Sequence, residues 1–280
     1  MKNYRNKIVY ITGGSSGIGL SAAKLFAAQG AHVIIFARRK DVIKKALVEI
    51  EAAKSDRLQR FEGRSLDITD SKNVISVMKD AVRSFGVPDV LINCAGRAFP
   101  AYFEEITYEQ FDDTMKVNLY GIWNCVAALF PSMKERGGYI VNVSSMAGFL
   151  GVFGYTDYSA SKFGVIGFSE ALKSEAKKYG ITVSVLCPPD TDTPGFQTEN
   201  LTKPEETRAV SAGAKLMSPD DVARELFKGM ASKKFMIIPG FDGKLTFLVK
   251  RLFPALVEMI MDSSIRKVAK GEVVKKSTNN

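Results

Sequence analysis

Tyr158 and Lys162 form the single Y-x-x-x-K pair in the chain, and Ser145 stands upstream of them at the end of an apolar run. Residues four apart share one helix face, so the pair brings a phenol and an ammonium together. A free tyrosine has a pKa of about 10. Proton exchange near neutrality therefore asks for a drop of roughly three pH units, about 4 kcal/mol, which a nearby positive charge can supply. About one such pair is expected by chance in a chain of this composition, so its weight depends on company. Other chemistries have less support. The one histidine, His32, begins an apolar run and reads as structural, which removes a Ser-His-Asp hydrolase. No His, Cys or carboxylate group has metal spacing, and Cys94, Cys125 and Cys187 form no C-x-x-C pair, so neither a metal site nor a disulfide framework is expected.

The company begins at TGGSSGIG, residues 12–19, between the first apolar run and a helical pattern. Gly13, Gly17 and Gly19 would let the backbone turn and approach a pyrophosphate. Ser15, Ser16 and the N–H groups around Ile18 at the helix start would donate to it. The spacing G-x-x-x-G-x-G differs from the commoner G-x-G-x-x-G. After the second apolar run, where an NAD enzyme usually offers an acidic residue, the chain reads FARRK with Arg38, Arg39 and Lys40. Guanidinium groups bind a 2′-phosphate where a carboxylate would repel it, so the expected cofactor is NADPH/NADP+.

The elements that must position these residues are legible as alternation. Residues 7–12, 31–37, 89–95, 139–145, 181–187 and 234–239 are short Val/Ile-rich runs, with a weaker one at 60–67, and helical patterns lie between them. The fold class is α/β: a doubly wound, Rossmann-type parallel sheet of about seven strands with helices on both faces. There is no internal repeat, so residues 1–240 are expected to form one catalytic domain. The polar, turn-rich segment 190–219 would be its lid over the substrate site. It opens with CPPDTDTPGF, Cys187 to Phe196, whose aspartates are turn formers on the plainest reading.

Residues 241–280 read as a basic amphipathic tail. From Lys233 to Lys276, ten Lys or Arg against four Asp or Glu supply +6 of the formal +9. No nucleic-acid motif accompanies this charge, so no nucleic-acid partner is expected, and an anionic membrane surface is the better candidate. The run from Leu245 to Met261 is interrupted by Lys250, Arg251, Pro254 and Glu258; it could lie on a membrane but should not cross one. No export signal precedes the first strand and no cysteine framework is present, so a cytoplasmic location is expected, on the cytosolic face of a membrane if the tail docks.

These motifs together resemble the short-chain dehydrogenase/reductase family over roughly residues 7–239. TGGSSGIG, NCAG (93–96), VNLYG with Asn118, VSS ending in Ser145, and YSASK follow its order and spacing. The resemblance implies that Tyr158 is a general acid, that Lys162 lowers its pKa and holds the ribose, that Ser145 polarises the carbonyl and that Asn118 positions a water in the relay. It further implies cofactor contacts from Asp67, Ile68, Asn93, Ala95, Gly96, Pro188 and Thr193, and a homodimer or homotetramer. PPDTDTPGF, followed by EN and KPEETR, is similar to the 3-ketodihydrosphingosine reductase branch. That implies NADPH-dependent reduction of a long-chain keto lipid in sphingolipid metabolism, with Asp190 or Asp192 as partner for the substrate ammonium and Phe196 beside the alkyl chain. The alternative is a broader reductase of 3-ketoacyl, steroid or retinoid carbonyls.

Overall fold

The computed structural model describes residues 4–271. Seven parallel strands form one sheet: β1 (Ile8–Thr12), β2 (His32–Ala37), β3 (Phe61–Ser65), β4 (Val90–Asn93), β5 (Gly138–Val143), β6 (Ile181–Leu186) and β7 (Met236–Ile237). Their order is β3-β2-β1-β4-β5-β6-β7. The direction of winding reverses between β1 and β4, and a crevice must open there at the carboxyl ends of the strands.

The strands read as nearly continuous apolar runs because both faces are covered. Val9 and Ile11 of β1 belong to a core that includes residues of α1 (Gly17–Ala28), α2 (Lys40–Ala52) and α9 (Pro219–Ala231). Tyr10, between them, belongs to the opposite core with α3 (Ser71–Phe85), α5 (Gly121–Met133) and α6 (Thr156–Ala176). Alternation of side chains along a strand makes this division.

Three features of these elements have local causes. Residues 108–133 form α4 (Tyr108–Met115) and α5 rather than one continuous α-helix, joined by a π-helical turn at Lys116–Tyr120 that contains Asn118. Helix α9 follows the turn-rich segment directly because Ser218 caps it, accepting from the Asp221 N–H, and two aspartates stand in its first turn. The tail is two helices, α10 (Phe241–Leu252) and α11 (Pro254–Ala269), broken where Pro254 cannot continue the first. Residues 190–219 contain α7 (Pro194–Glu199) and α8 (Glu205–Ser211), and α11 packs on α8. Residues 272–280, with the last lysines of the expected tail, lie outside the described residues.

Candidate active site

Beyond β1 the chain turns at Gly13 with φ +67°, and a Cβ there would lie 2.7 Å from the Ala95 nitrogen. A Cβ on Gly19 would come within 2.3 Å of the Gly13 carbonyl, so the turn closes only with glycine at both positions. Gly17, φ +52°, starts α1 and faces Thr193, whose methyl would sit 2.9 Å from an added Cβ. Thr193 thus seats the start of segment 190–219 on the glycine turn. Thr193 also caps α7, accepting from the Phe196 N–H at 3.1 Å.

From this turn a cleft of about 660 Å³ follows the carboxyl ends of the strands. One end is lined by Ser15, Ser16, Ile18, Arg38, Arg39, Asp67 and Ile68; Ala95 and Gly96 line its floor; Ser145, Tyr158, Lys162, Pro188, Asp190 and Phe196 line the other end. Arg38 and Arg39 are exposed, and Ser16 spends no side-chain bond on capping α1. The Asp67 carboxylate accepts from the Thr69 N–H and hydroxyl at 2.9 and 2.8 Å. Although burial opposes it, those bonds and the nearby Arg38 and Arg97 charges hold this carboxyl below its usual range. A glycine cradle beside a helix start fits the pyrophosphate of a dinucleotide.

Four expected site residues do not line the cleft. Gly19 acts behind the turn. Asn93 is buried and donates from Nδ2 to Asn142 Oδ1 at 2.9 Å, tying β4 to β5 inside the sheet. Asp192 is exposed on the outer side of the lid, where its N–H bonds to the Met217 carbonyl, so only Asp190 of the two aspartates reaches the cleft. Asn118 is fully buried one layer back. Its amide is held by both backbone groups of Arg97 at 2.9 Å and by Ser161 Oγ at 3.1 Å. Asn118 Oδ1 and Lys162 Nζ flank Gly96, each between 3.2 and 3.3 Å from where its Cβ would be. Any larger residue at 96 would separate them.

Tyr158 lies near the start of α6, which is fixed by Asp157. That buried carboxylate accepts from Thr114 of α4 at 2.8 Å and from the Tyr158 N–H at 2.7 Å. Ser145 ends the β5 run, and its Oγ accepts from the Ala147 N–H at 3.2 Å. Lys162 is 3% exposed; its Nζ donates to the Val143 carbonyl at 3.0 Å and stands 5.5 Å from the centre of the Tyr158 ring. Burial lowers its pKa to about 8. The expected depression of the Tyr158 pKa is reversed here. Burial and then the Glu199 carboxylate push it up, with the nearby Ser145 hydroxyl opposing them. Before a positive ring is bound, the phenol is held as an acid.

Glu199, Tyr155 and Lys203 escaped sequence reading because no local pattern joins them. Tyr155 donates to Glu199 Oε1, and Lys203 Nζ pairs with Glu199 at 3.2 Å and approaches Asp190 at 3.8 Å. The rings of Tyr155 and Tyr158 are 5.5 Å apart. Burial raises the Tyr155 pKa, as do the neighbouring carboxylates, and burial likewise raises that of Glu199. The one trace in the sequence is the i,i+4 spacing of Glu199 and Lys203.

A parallel sheet with the glycine turn at its switch point, and Ser145, Tyr158 and Lys162 at the other end of one cleft, defines a dinucleotide-type oxidoreductase site. The chain belongs to the short chain dehydrogenase family, whose model matches residues 7–204. Among individual proteins it is similar to the 3-ketodihydrosphingosine reductase of Bos taurus, 42% identical over 237 residues, which are 84% of this chain and 71% of that protein. Solved structures of similar fold include a short chain dehydrogenase from Mycobacterium paratuberculosis bound to NAD, TM-score 0.74 and 27% identity over 85% of this chain and 96% of that one. Actinorhodin polyketide ketoreductase with NADPH has a TM-score of 0.74 and 28% identity, with the same coverage.

Proposed function

We propose that this chain reduces 3-ketodihydrosphingosine to dihydrosphingosine with NADPH, as the step of sphingolipid synthesis performed by the relatives that carry that name. The single observation that carries the reading is the 42% identity to such a reductase across most of the chain. The preference for NADPH is supported by Arg38 and Arg39, exposed at the cleft end where a 2′-phosphate would lie. The glycine turn, Ser15 and Ser16 would hold the pyrophosphate, and Asp67 and Ile68 would border the adenine. When bound, NADPH supplies the hydride.

Tyr158 then gives its proton to the carbonyl oxygen, and the raised pKa of the phenol keeps that proton available at neutral pH. The Ser145 hydroxyl holds the same oxygen in place. Lys162, charged below about pH 8, stabilises the phenolate left behind. Asn118 would position a water in the proton relay, a role supported by its place beside Lys162. A second reading, reduction of 3-ketoacyl, steroid or retinoid carbonyls, draws on the likeness to the polyketide ketoreductase. Turnover with NADPH on a panel of 3-ketodihydrosphingosine, a 3-ketoacyl thioester, a ketosteroid and retinal separates them. Equal or better kcat/KM for any of the last three would refute the first.

Two surfaces extend the proposal. Helix α10 and the residue after it expose Phe241, Leu245, Leu248, Leu252 and Phe253, among basic residues that include Lys244 and Arg251. That face suits peripheral contact with an anionic membrane, and no helix among the described residues is long and apolar enough to cross one. Tyr120, Trp123 and Phe163 are exposed on the π-helical turn, α5 and α6, which suits a homodimer or homotetramer built on that side.

A further inference from the structure

Lys203 is a lysine out of place for a surface lid: its side chain is 3% exposed. Its ammonium lies 3.2 Å from Glu199 and 3.8 Å from Asp190, with the Phe196 ring centre at 4.6 Å and that of Tyr155 at 5.9 Å. Two carboxylates and two ring faces therefore surround one alkylammonium, the set of neighbours that a primary amine of a ligand would require. The chain itself supplies a specimen of the ligand class.

The charges do not balance. Two carboxylates face a single cation, and burying the excess negative charge is costly unless a second cation joins it. The side chains also differ in reach: Asp190 is 35% and Glu199 16% exposed, whereas Lys203 sits behind them. The free sides of the carboxylates open to the cleft. The Tyr155 ring, bonded to Glu199, adjoins the Tyr158 ring, so this corner is next to the group that would protonate a carbonyl.

We propose that Glu199, with Asp190 beside it, forms a subsite for a primary ammonium in the cleft and makes the enzyme favour ketones bearing an amine next to the carbonyl. Lys203 partly compensates the subsite between turnovers. The inference rests on the proposed sphingoid reading for the identity of its amine, but its test does not. Titration calorimetry of the full chain with NADP+, using octylamine and octanol, measures the preference without turnover. The wild type should bind the amine at least about tenfold more tightly than the alcohol, and Glu199→Gln, which keeps an acceptor for Tyr155, should bring the ratio close to one. Lys203→Met should raise the ratio. Equal affinities in the wild type, or a Glu199→Gln variant with an unchanged ratio, would overturn the proposal and leave the cluster as a brace between lid and α6. An amine preference together with failure to reduce 3-ketodihydrosphingosine would instead defeat the functional reading and spare the subsite.

Discussion

Lys162 sets stability against activity in a way that can be measured. In the unfolded chain its ammonium titrates near the ordinary lysine value of 10.5, but in the cleft burial brings it to about 8. That depression corresponds to about 3 kcal/mol against the folded, charged form. The sign follows from proton counts. Between about pH 8 and 10.5 the unfolded chain holds a proton that the native chain has released, so stability rises with pH across that window. Below about pH 8 the penalty is present in full. The compensating contact is one bond to the Val143 carbonyl at 3.0 Å, about 1.5 kcal/mol. Lys162→Met should therefore stabilise the cofactor-free protein at pH 7 by about 1 to 2 kcal/mol, roughly 2–6 °C in Tm, while abolishing ketone reduction. Thermal unfolding of both proteins at pH 7 and again at pH 10 checks this. The gain should shrink at the higher pH. A variant less stable than the wild type at pH 7, or a gain independent of pH, would refute the reasoning.

Four further outcomes are expected. Tyr158→Phe should lower reductase turnover by about 10²- to 10⁴-fold while NADPH binding, followed by its fluorescence, stays intact; full activity would remove the phenol from the proton path. Arg38→Ala with Arg39→Ala should reduce the ratio of kcat/KM for NADPH over NADH by roughly 10- to 100-fold, and an unaltered ratio would mean that the 2′-phosphate is held elsewhere. Sedimentation with vesicles rich in phosphatidylserine should be lost on combining Leu248→Glu, Leu252→Glu and Phe253→Glu, and weakened by salt in the wild type; equal sedimentation of the two would end the membrane proposal. Trp123→Glu should yield a monomer by light scattering, and an unchanged mass would place the oligomer interface, if one exists, on another face.

The sequence was most informative where a requirement is local. Ile8–Thr12 and His32–Ala37 read as strands because each is bounded by turn residues and apolar on both faces, and Gly13 reads as a turn because few other residues take positive φ. Tyr158 and Lys162 met because a helix repeats every 3.6 residues. Asn93 stands away from the cleft for the opposite reason. Whether an amide at a strand end faces the cleft or the next strand depends on β5, whose Asn142 lies far away in the chain and takes its hydrogen bond.

The same distinction divides Asp190 from Asp192. Both follow the prolines of one short turn, and nothing in that turn tells them apart. In the folded chain the Met217 carbonyl accepts from the Asp192 N–H and its own N–H bonds to the Asp190 carbonyl, and this pairing leaves one carboxylate in the cleft and the other outside. Sequence alone thus determined the sheet, the glycine turn, the Ser145, Tyr158 and Lys162 grouping, and the cationic Arg38 and Arg39, since each is written in neighbouring residues or in a repeating order of elements. Tertiary structure alone decided that Tyr155, Asp190, Glu199 and Lys203 converge beside Tyr158. Their meeting depends on the path of segment 190–219, held by Thr193 at one end and by α11 on α8 at the other, and long-range packing of that kind leaves no periodicity for a reader of the sequence to find.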